Sequence, residues 1–300
     1  MKKIGLLDVT LRDGGHRMGF KFSEVHLNYL LTKLNQAQIP FVEVGYRNGF
    51  LQAPQALGDA GLCPLAYLKY CRAHLTHAII AVMVHPPLIG YEDLVELKHA
   101  GVQLIRFCIA RHQFKQAHDL IIQAKRLNLM ISLNFIHVSQ YSSKALDEVV
   151  TQAASLTPDM IYFADSNGHL TPQAVKAIYT RFISRFDCQF GFHPHDNLGL
   201  AQANALAALE VGVHMIDSSL AGMGKGTGNL KTEFWTAYLN AYAQQTYHLE
   251  SICEAANYLR QQFSAGFLTL TMDEFRRGIE DLSTAELKQL KLKEMHDVTV

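Results

Sequence analysis

The feature that most constrains this chain is a rhythm: short runs rich in β-branched and aromatic residues alternate with longer amphipathic stretches, eight times over. Strands are predicted at 4–9 (IGLLDV), 41–45 (FVEVG), 78–84 (AIIAVMV), 104–109 (LIRFCI), 130–136 (MISLNFI), 160–165 (MIYFAD), 189–193 (QFGFH) and 215–220 (MIDSSL). Between them lie helical patterns such as SEVHLNYLLTKLN and TPQAVKAIYTRFISRF, the latter opening on Thr171-Pro172, a cap followed by a proline in the first turn. Eight such units in about 240 residues match an α/β fold of the (β/α)8 TIM-barrel type. An open doubly wound sheet is the rival, weakened because no GxGxxG turn follows the first strand.

The barrel is expected over residues 1–243, with a short helical C-terminal extension over 244–300. Leu249, Ile252, Ala256, Leu259 and Phe263 keep helical spacing there, and Thr271 to Glu274 and Ser283 to Glu286 both have capping-box spacing. The extension can cover a barrel end, act as a lid or form an oligomer contact.

Composition removes several function classes. Lysine plus arginine total 27, as do aspartate plus glutamate, so no net field recruits nucleic acid or an anionic membrane. No apolar run approaches the roughly 20 residues of a membrane-spanning helix, and the basic start MKKIGLLDVT reaches Asp8 and Arg12 before a signal-peptide core can form. Cys63, Cys71, Cys108, Cys188 and Cys253 are an odd set without CxxC spacing, which points to reduced thiols and a cytoplasmic protein.

In a barrel of this type, chemistry sits just beyond the C-terminal ends of the strands. Strand 1 ends in TLRDGGH, strand 7 in FHPHDN, and strand 8 is followed by the glycine-rich AGMGKGTGN. His193 and His195 stand at i and i+2, on one face of their strand and about 7 Å apart along it, a reachable spacing for two ligands of one ion. Ring closure brings strands 1, 7 and 8 together, so Asp13, His193 and His195 converge. A carboxylate and two imidazoles with positions left open are the ligand set of a catalytic metal site. The glycine-rich segment is not a Walker loop; it suits a backbone that must approach a ligand closely, or a mobile lid.

DVTLRDGGH, EVGYRNG, FADSNGHLTP, HPHDNLGLAQAN and GMGKGTGN, in that order over residues 4 to about 235, resemble the metal-dependent pyruvate aldolase and acyl-CoA lyase/synthase superfamily (the DRE-TIM metallolyases), and within it 4-hydroxy-2-oxovalerate aldolase-like proteins. The resemblance implies a divalent metal, manganese first and magnesium, cobalt or zinc as alternatives, on Asp13, His193 and His195 with Asn229 as a further contact. It also implies Arg12 as the group that stabilises enolate charge, His16 as general base and Ser166 as a holder of the substrate carboxylate. The reaction implied is cleavage or formation of a 4-hydroxy-2-oxo acid, giving pyruvate and an aldehyde. Its chemistry needs a proton taken from the C4 hydroxyl and an electrophile on the 2-oxo group, which a metal supplies without a Schiff-base lysine.

Asp8 and Glu43 are expected behind these groups, orienting Arg12 or metal-bound water, or forming a core salt bridge. Arg47 is a further candidate, and Arg106 is expected to pair with a carboxylate or an internal acid. Gly14 and Gly15 are expected to bend the strand end and turn His16 toward the ion. A Claisen-type acyl-CoA:2-oxo acid condensing enzyme is the runner-up, set back by Gly15-His16 and Gly224-Lys225 where that branch has glutamate-glutamine and glycine-glutamate-arginine. The lyase branch with a loop cysteine finds none in 221–229. A catalytically inactive metal- or metabolite-binding barrel is the third reading. Expected partners are a small 2-oxo acid and, compatibly, further copies of the chain. The tail is short for docking an acylating aldehyde dehydrogenase, so that partner is not expected.

Overall fold

In the computed structural model, which describes residues 4–51, 53, 56–111, 113–263 and 270–297, eight parallel strands close into a barrel in chain order. They are β1 (Gly5–Asp8), β2 (Phe41–Arg47), β3 (Ile79–Val84), β4 (Leu104–Ile109), β5 (Met130–Phe135), β6 (Met160–Asp165), β7 (Gln189–Pro194) and β8 (Met215–Ser218). Closure is made by β1 against β8, with Leu7 opposite Asp217 and Asp8 opposite Ser218. The predicted strands all form. The eighth stops two residues early, because Ser219 leaves β8 to bridge Lys231 and Ala221 adopts φ 58°, turning the chain at Leu220–Gly222. The second runs on to Arg47 through a shift of register against β3 between Glu43 and Tyr46.

Alternation along the strands divides each one between two environments. In β4, Ile105, Phe107 and Ile109 join the large core between barrel and helices, whereas Leu104 packs inside the barrel with Leu7, Val9, Ala81, Met160, Tyr162 and Met215. That apolar plug closes the barrel floor. Above it the inward positions turn polar: Glu43, Arg106, Ser132, Asn134 and Asp217 are all buried. The fold therefore places a charged layer directly beneath the mouth.

The C-terminal extension divides its work. Leu249–Gln262 buries Ile252, Ala255, Ala256 and Leu259, and it packs on the helix Glu24–Gln36. Helices Met272–Glu280 and Thr284–Asp297 follow. The capping box at Ser283 is made, with Ser283 N donating to Glu286 and Glu286 N donating back to the serine hydroxyl. The one expected at Thr271 is not: its side chain caps nothing, and Glu274 instead pairs with Arg277 and accepts from Asn197. Among the described residues no helix is long and apolar enough to cross a membrane. All five cysteines are free thiols.

Candidate active site

A cavity of about 300 Å³ opens at the C-terminal ends of the strands, lined by Arg12, Asp13, His16, Ser166, His193 and His195 together with residues that the sequence reading did not single out. The ligand atoms of Asp13, His193 and His195 lie within 4.8 Å of one another. His193 Nε2 and His195 Nε2 are 3.3 Å apart with rings at 85°. Two imidazole lone pairs cannot share that distance without a proton or a cation between them, and two metal–nitrogen bonds of about 2.1 Å at a tetrahedral angle span roughly 3.4 Å. The donor set fits a divalent ion. Burial would raise the Asp13 carboxyl, but Arg12 and the histidines hold it well below the usual range, so it is ionised and able to bind a cation.

Gly224 explains the glycine-rich loop. A Cβ there would lie 2.6 Å from Asp13 Oδ2 and 2.4 Å from Asn229 Nδ2, so only glycine lets this backbone close over the ligand cluster. Lys225 N and Asn229 Nδ2 then both donate to Asp13 Oδ2, at 3.2 and 2.7 Å. Asn229 Oδ1 is buried and has no hydrogen-bond partner among the described residues, beside the backbone pairing of Asn229 with His195.

Arg12 follows β1 and reaches sideways. Its guanidinium donates to Asp13 Oδ1 at 2.6 Å and to Glu43 Oε2 at 2.5 Å, one of the arrangements open to Glu43. Asp8 is different: its carboxylate accepts from Thr10 N, Thr10 Oγ1 and Thr232 Oγ1, fastening β1 to the segment after β8 instead of orienting Arg12. Burial pushes its carboxyl up to about 7. Arg47 also serves elsewhere, pairing with Asp93, Glu96 and the Cys63 carbonyl.

His16 lies in a single 3-10 turn, Gly14–Arg17. The chain does turn here, but neither glycine takes a positive φ, so the turn does not call on their conformational freedom. They make room instead: a Cβ on Gly15 would sit 2.3 Å from the Phe20 ring, and one on Gly14 3.0 Å from Met223. The His16 ring packs against Phe20 and Phe50 at 4.9 and 4.8 Å, and its Nε2 lies 3.3 Å from the Tyr46 hydroxyl. Burial pushes its imidazole down to about 4, with Asp13 opposing, and His85, stacked on Tyr46, is lowered to about 4 for the same reason. Both are neutral at pH 7.

Ser166 belongs to a turn shaped by Asp165, whose carboxylate accepts from His169 N and Leu170 N at 3.0 Å each. Its hydroxyl accepts from His137 N, leaving its own hydrogen to donate into the cavity. Its carbonyl accepts from Arg277, which reaches over from Met272–Glu280 in the extension. Asn167 and Ser139 hold Asp281 beside it, and Gly278 O lies 2.7 Å from His169 Nδ1. The extension thus roofs the β5 to β7 side of the mouth.

Among the groups that escaped the sequence, Asp217, Asn134 and Arg277 differ in what they left to find. Asp217 and Asn134 left a signal, a polar residue at an inward position of an otherwise apolar strand. Arg277 left none, since nothing local says that a helix near the end of the chain returns to the mouth.

The HMGL-like family model matches residues 3–259. The 4-hydroxy-2-oxovalerate aldolase of Chloroflexus aurantiacus is 32% identical over 243 residues, covering 80% of this chain and 70% of the relative. The oxaloacetate decarboxylase of Mycobacterium tuberculosis is 26% identical, covering 82% and 72%. Among solved structures, the N-terminal domain of a Bacteroides vulgatus protein named as a candidate aldolase has a TM-score of 0.82 at 26% identity, covering 96% of each chain. HMG-CoA lyase of Bacillus subtilis has a TM-score of 0.76 at 17% identity, covering 88% and 95%, a likeness of fold.

Proposed function

This chain belongs to the HMGL-like family, and from that premise we propose that it is a carbon–carbon lyase cleaving a 4-hydroxy-2-oxo acid such as 4-hydroxy-2-oxovalerate to pyruvate and an aldehyde, or forming it in reverse. The observation that carries this reading is convergence: Asp13, His193 and His195 offer ligands to one point in a cavity that Arg12 and His16 also line. Asp13, His193 and His195 would hold the ion, with Asn229 Oδ1 free to contribute. A bound divalent metal, manganese foremost, supplies a Lewis acid for the 2-oxo group.

Neutral His16 takes the proton of the C4 hydroxyl, the C3–C4 bond breaks, and its electrons pass to the pyruvate half as the aldehyde forms. Arg12, fixed by Glu43 and Asp13, supplies positive charge where the enolate oxygen develops. Ser166 donates to the substrate carboxylate. Asp8 is not part of this machinery; Glu43 holds Arg12. The catalytic barrel is residues 1–243, and the extension 244–300 adds Arg277 to its mouth.

Metal-loaded protein incubated with a panel of 4-hydroxy-2-oxo acids should release pyruvate, and Asp13→Ala should not. Silence of the wild type on the whole panel, or full activity of the variant, would sink the reading. Oxaloacetate belongs in the panel because its decarboxylation also yields pyruvate enolate. Free CoA formed only with acyl-CoA and a 2-oxo acid together would point to the condensing enzyme instead.

A further inference from the structure

We propose that Asp217 is a positioning residue for the metal centre, holding His193 as the tautomer whose Nε2 lone pair faces the ion, and that Arg106 ties this same carboxylate to the group that fixes Arg12. The proposal rests on the reading of Asp13, His193 and His195 as ligands.

Asp217 Oδ2 lies 3.0 Å from His193 Nδ1 and 2.7 Å from Arg106 Nη2, and the residue has no exposed surface. A carboxylate against a guanidinium can only accept, so the proton of neutral His193 sits on Nδ1. Nε2 is then left as the acceptor, and it is Nε2 that stands 3.3 Å from His195 Nε2. Asp217 is outside the ligand cluster itself; it acts through the imidazole. His195 has no such support among the described residues, where its buried Nδ1 meets no hydrogen-bond partner. The two histidines of HPH are therefore unequal, one oriented by a charge and the other by packing.

The link continues across the barrel. Arg106 Nη1 is 3.1 Å from Glu43 Oε2, which accepts from Arg12. Arg106 lies over the Tyr162 ring at 4.4 Å and donates to Asn134 at 3.0 Å, which fixes its plane. Glu43 and Asp217 each bridge two groups, with Arg106 between them. A fault at Asp217 is thereby felt at a metal ligand first and at Arg12 second. An ordinary core ion pair would need neither a histidine at one end nor the enolate-facing arginine at the other.

The test is metal affinity, measured on apoprotein with Mn²⁺ and with Co²⁺, whose visible spectrum reports the ligand geometry. Asp217→Asn keeps the shape but replaces the carboxylate, which can only accept, with an amide that can also donate to His193 Nδ1, so the tautomer is no longer fixed and Arg106 loses its opposite charge; Arg106→Lys keeps a charge but loses the planar fork. Asp217→Asn should weaken metal binding about 10- to 100-fold and alter the Co²⁺ spectrum, as losses behind a ligating histidine do. Arg106→Lys should give a smaller loss. Binding within twofold of wild type and an unchanged Co²⁺ spectrum, in a folded Asp217→Asn, would overturn the proposal. Nitrogen NMR of wild-type histidines decides the matter even if both variants misfold: His193 protonated on Nδ1 supports it, and protonated on Nε2 refutes it. Wild type that binds no metal refutes the site reading as well. Wild type that binds, with Asp217→Asn binding equally, refutes this inference alone.

Discussion

The two sides of the cavity both hold titratable groups away from water and treat them oppositely. On the side of β4, β7 and β8, the Asp217 carboxylate lies between the Arg106 guanidinium and His193 Nδ1. Glu43 links Arg106 to Arg12. There Asp217 stays ionised: burial acts to raise its carboxyl, but the Arg106 charge and the hydrogen bond from His193 hold it below its usual range. On the side of β2 and β3, His16 and His85 lie among Phe20, Tyr46 and Phe50, and desolvation holds them neutral. Burial alone therefore does not set protonation; the presence of a fixed counter-charge does. An ionised carboxylate and a neutral imidazole can stand in one small cavity because these surroundings differ.

The largest way to break the contrast is to remove the centre of the charged side. Asp13→Ala, or stripping the metal with a chelator, should lower pyruvate release by at least about 10³-fold, the scale of losing a Lewis acid worth several kcal/mol. Restoration by Mn²⁺ in the stripped wild type and not in the variant separates the ligand from general damage.

Next comes the chain of charges. Glu43→Leu strips a shared partner from Arg12 and Arg106, leaving them Asp13 and Asp217 alone, and should cost about 3–5 kcal/mol in denaturant unfolding, the usual penalty of removing one partner of a buried ion pair. A cost under 1 kcal/mol would mean that water or a relaxed arginine compensates.

On the aromatic side, His16→Ala should lower kcat about 10²-fold on 4-hydroxy-2-oxo acids, as losing a general base does. Phe50→Glu sharpens the point: a carboxylate near His16 should raise its pKa from about 4 and move the acid limb of the kcat/KM profile upward by about one unit. An unmoved limb would assign it to another group.

The smallest effect is on stability against pH, and here the signs oppose. Folded Asp8 keeps its proton up to about 7 while the unfolded chain releases it near 3.8, so this residue makes stability fall as pH rises through that window. Folded His16 and His85 lose theirs near 4 while the unfolded chain keeps it up to 6.5, so they make stability rise between those values. Asp8→Asn should remove a fall of about 1–2 kcal/mol between pH 5 and 7, seen as a steeper gain of apoprotein Tm with pH. An unchanged Tm profile would show that Asp8 titrates near its ordinary value.

Much of this was legible in the sequence, because each legible item is local or follows from one global constraint. Strand alternation is a period along the chain, and ring closure follows once eight units are counted; together they bring Asp13, His193 and His195 within reach of one another. Ser283 to Glu286 formed its capping box because both partners lie in one turn. Thr271 to Glu274 had the same spacing and did not, because Arg277 and Asn197 competed for Glu274.

The barrel and the convergence of Asp13, His193 and His195 were written along the chain. The tertiary structure alone decided which acid serves which base: that Asp8 belongs to Thr10 and Thr232, that Glu43 holds Arg12, that Asp217 stands behind His193, and that Arg277 returns to the mouth. Spacing says which face a side chain occupies. Protonation and pairing depend on what lies within about 4 Å across the barrel, between strands far apart in sequence, and no local pattern encodes that.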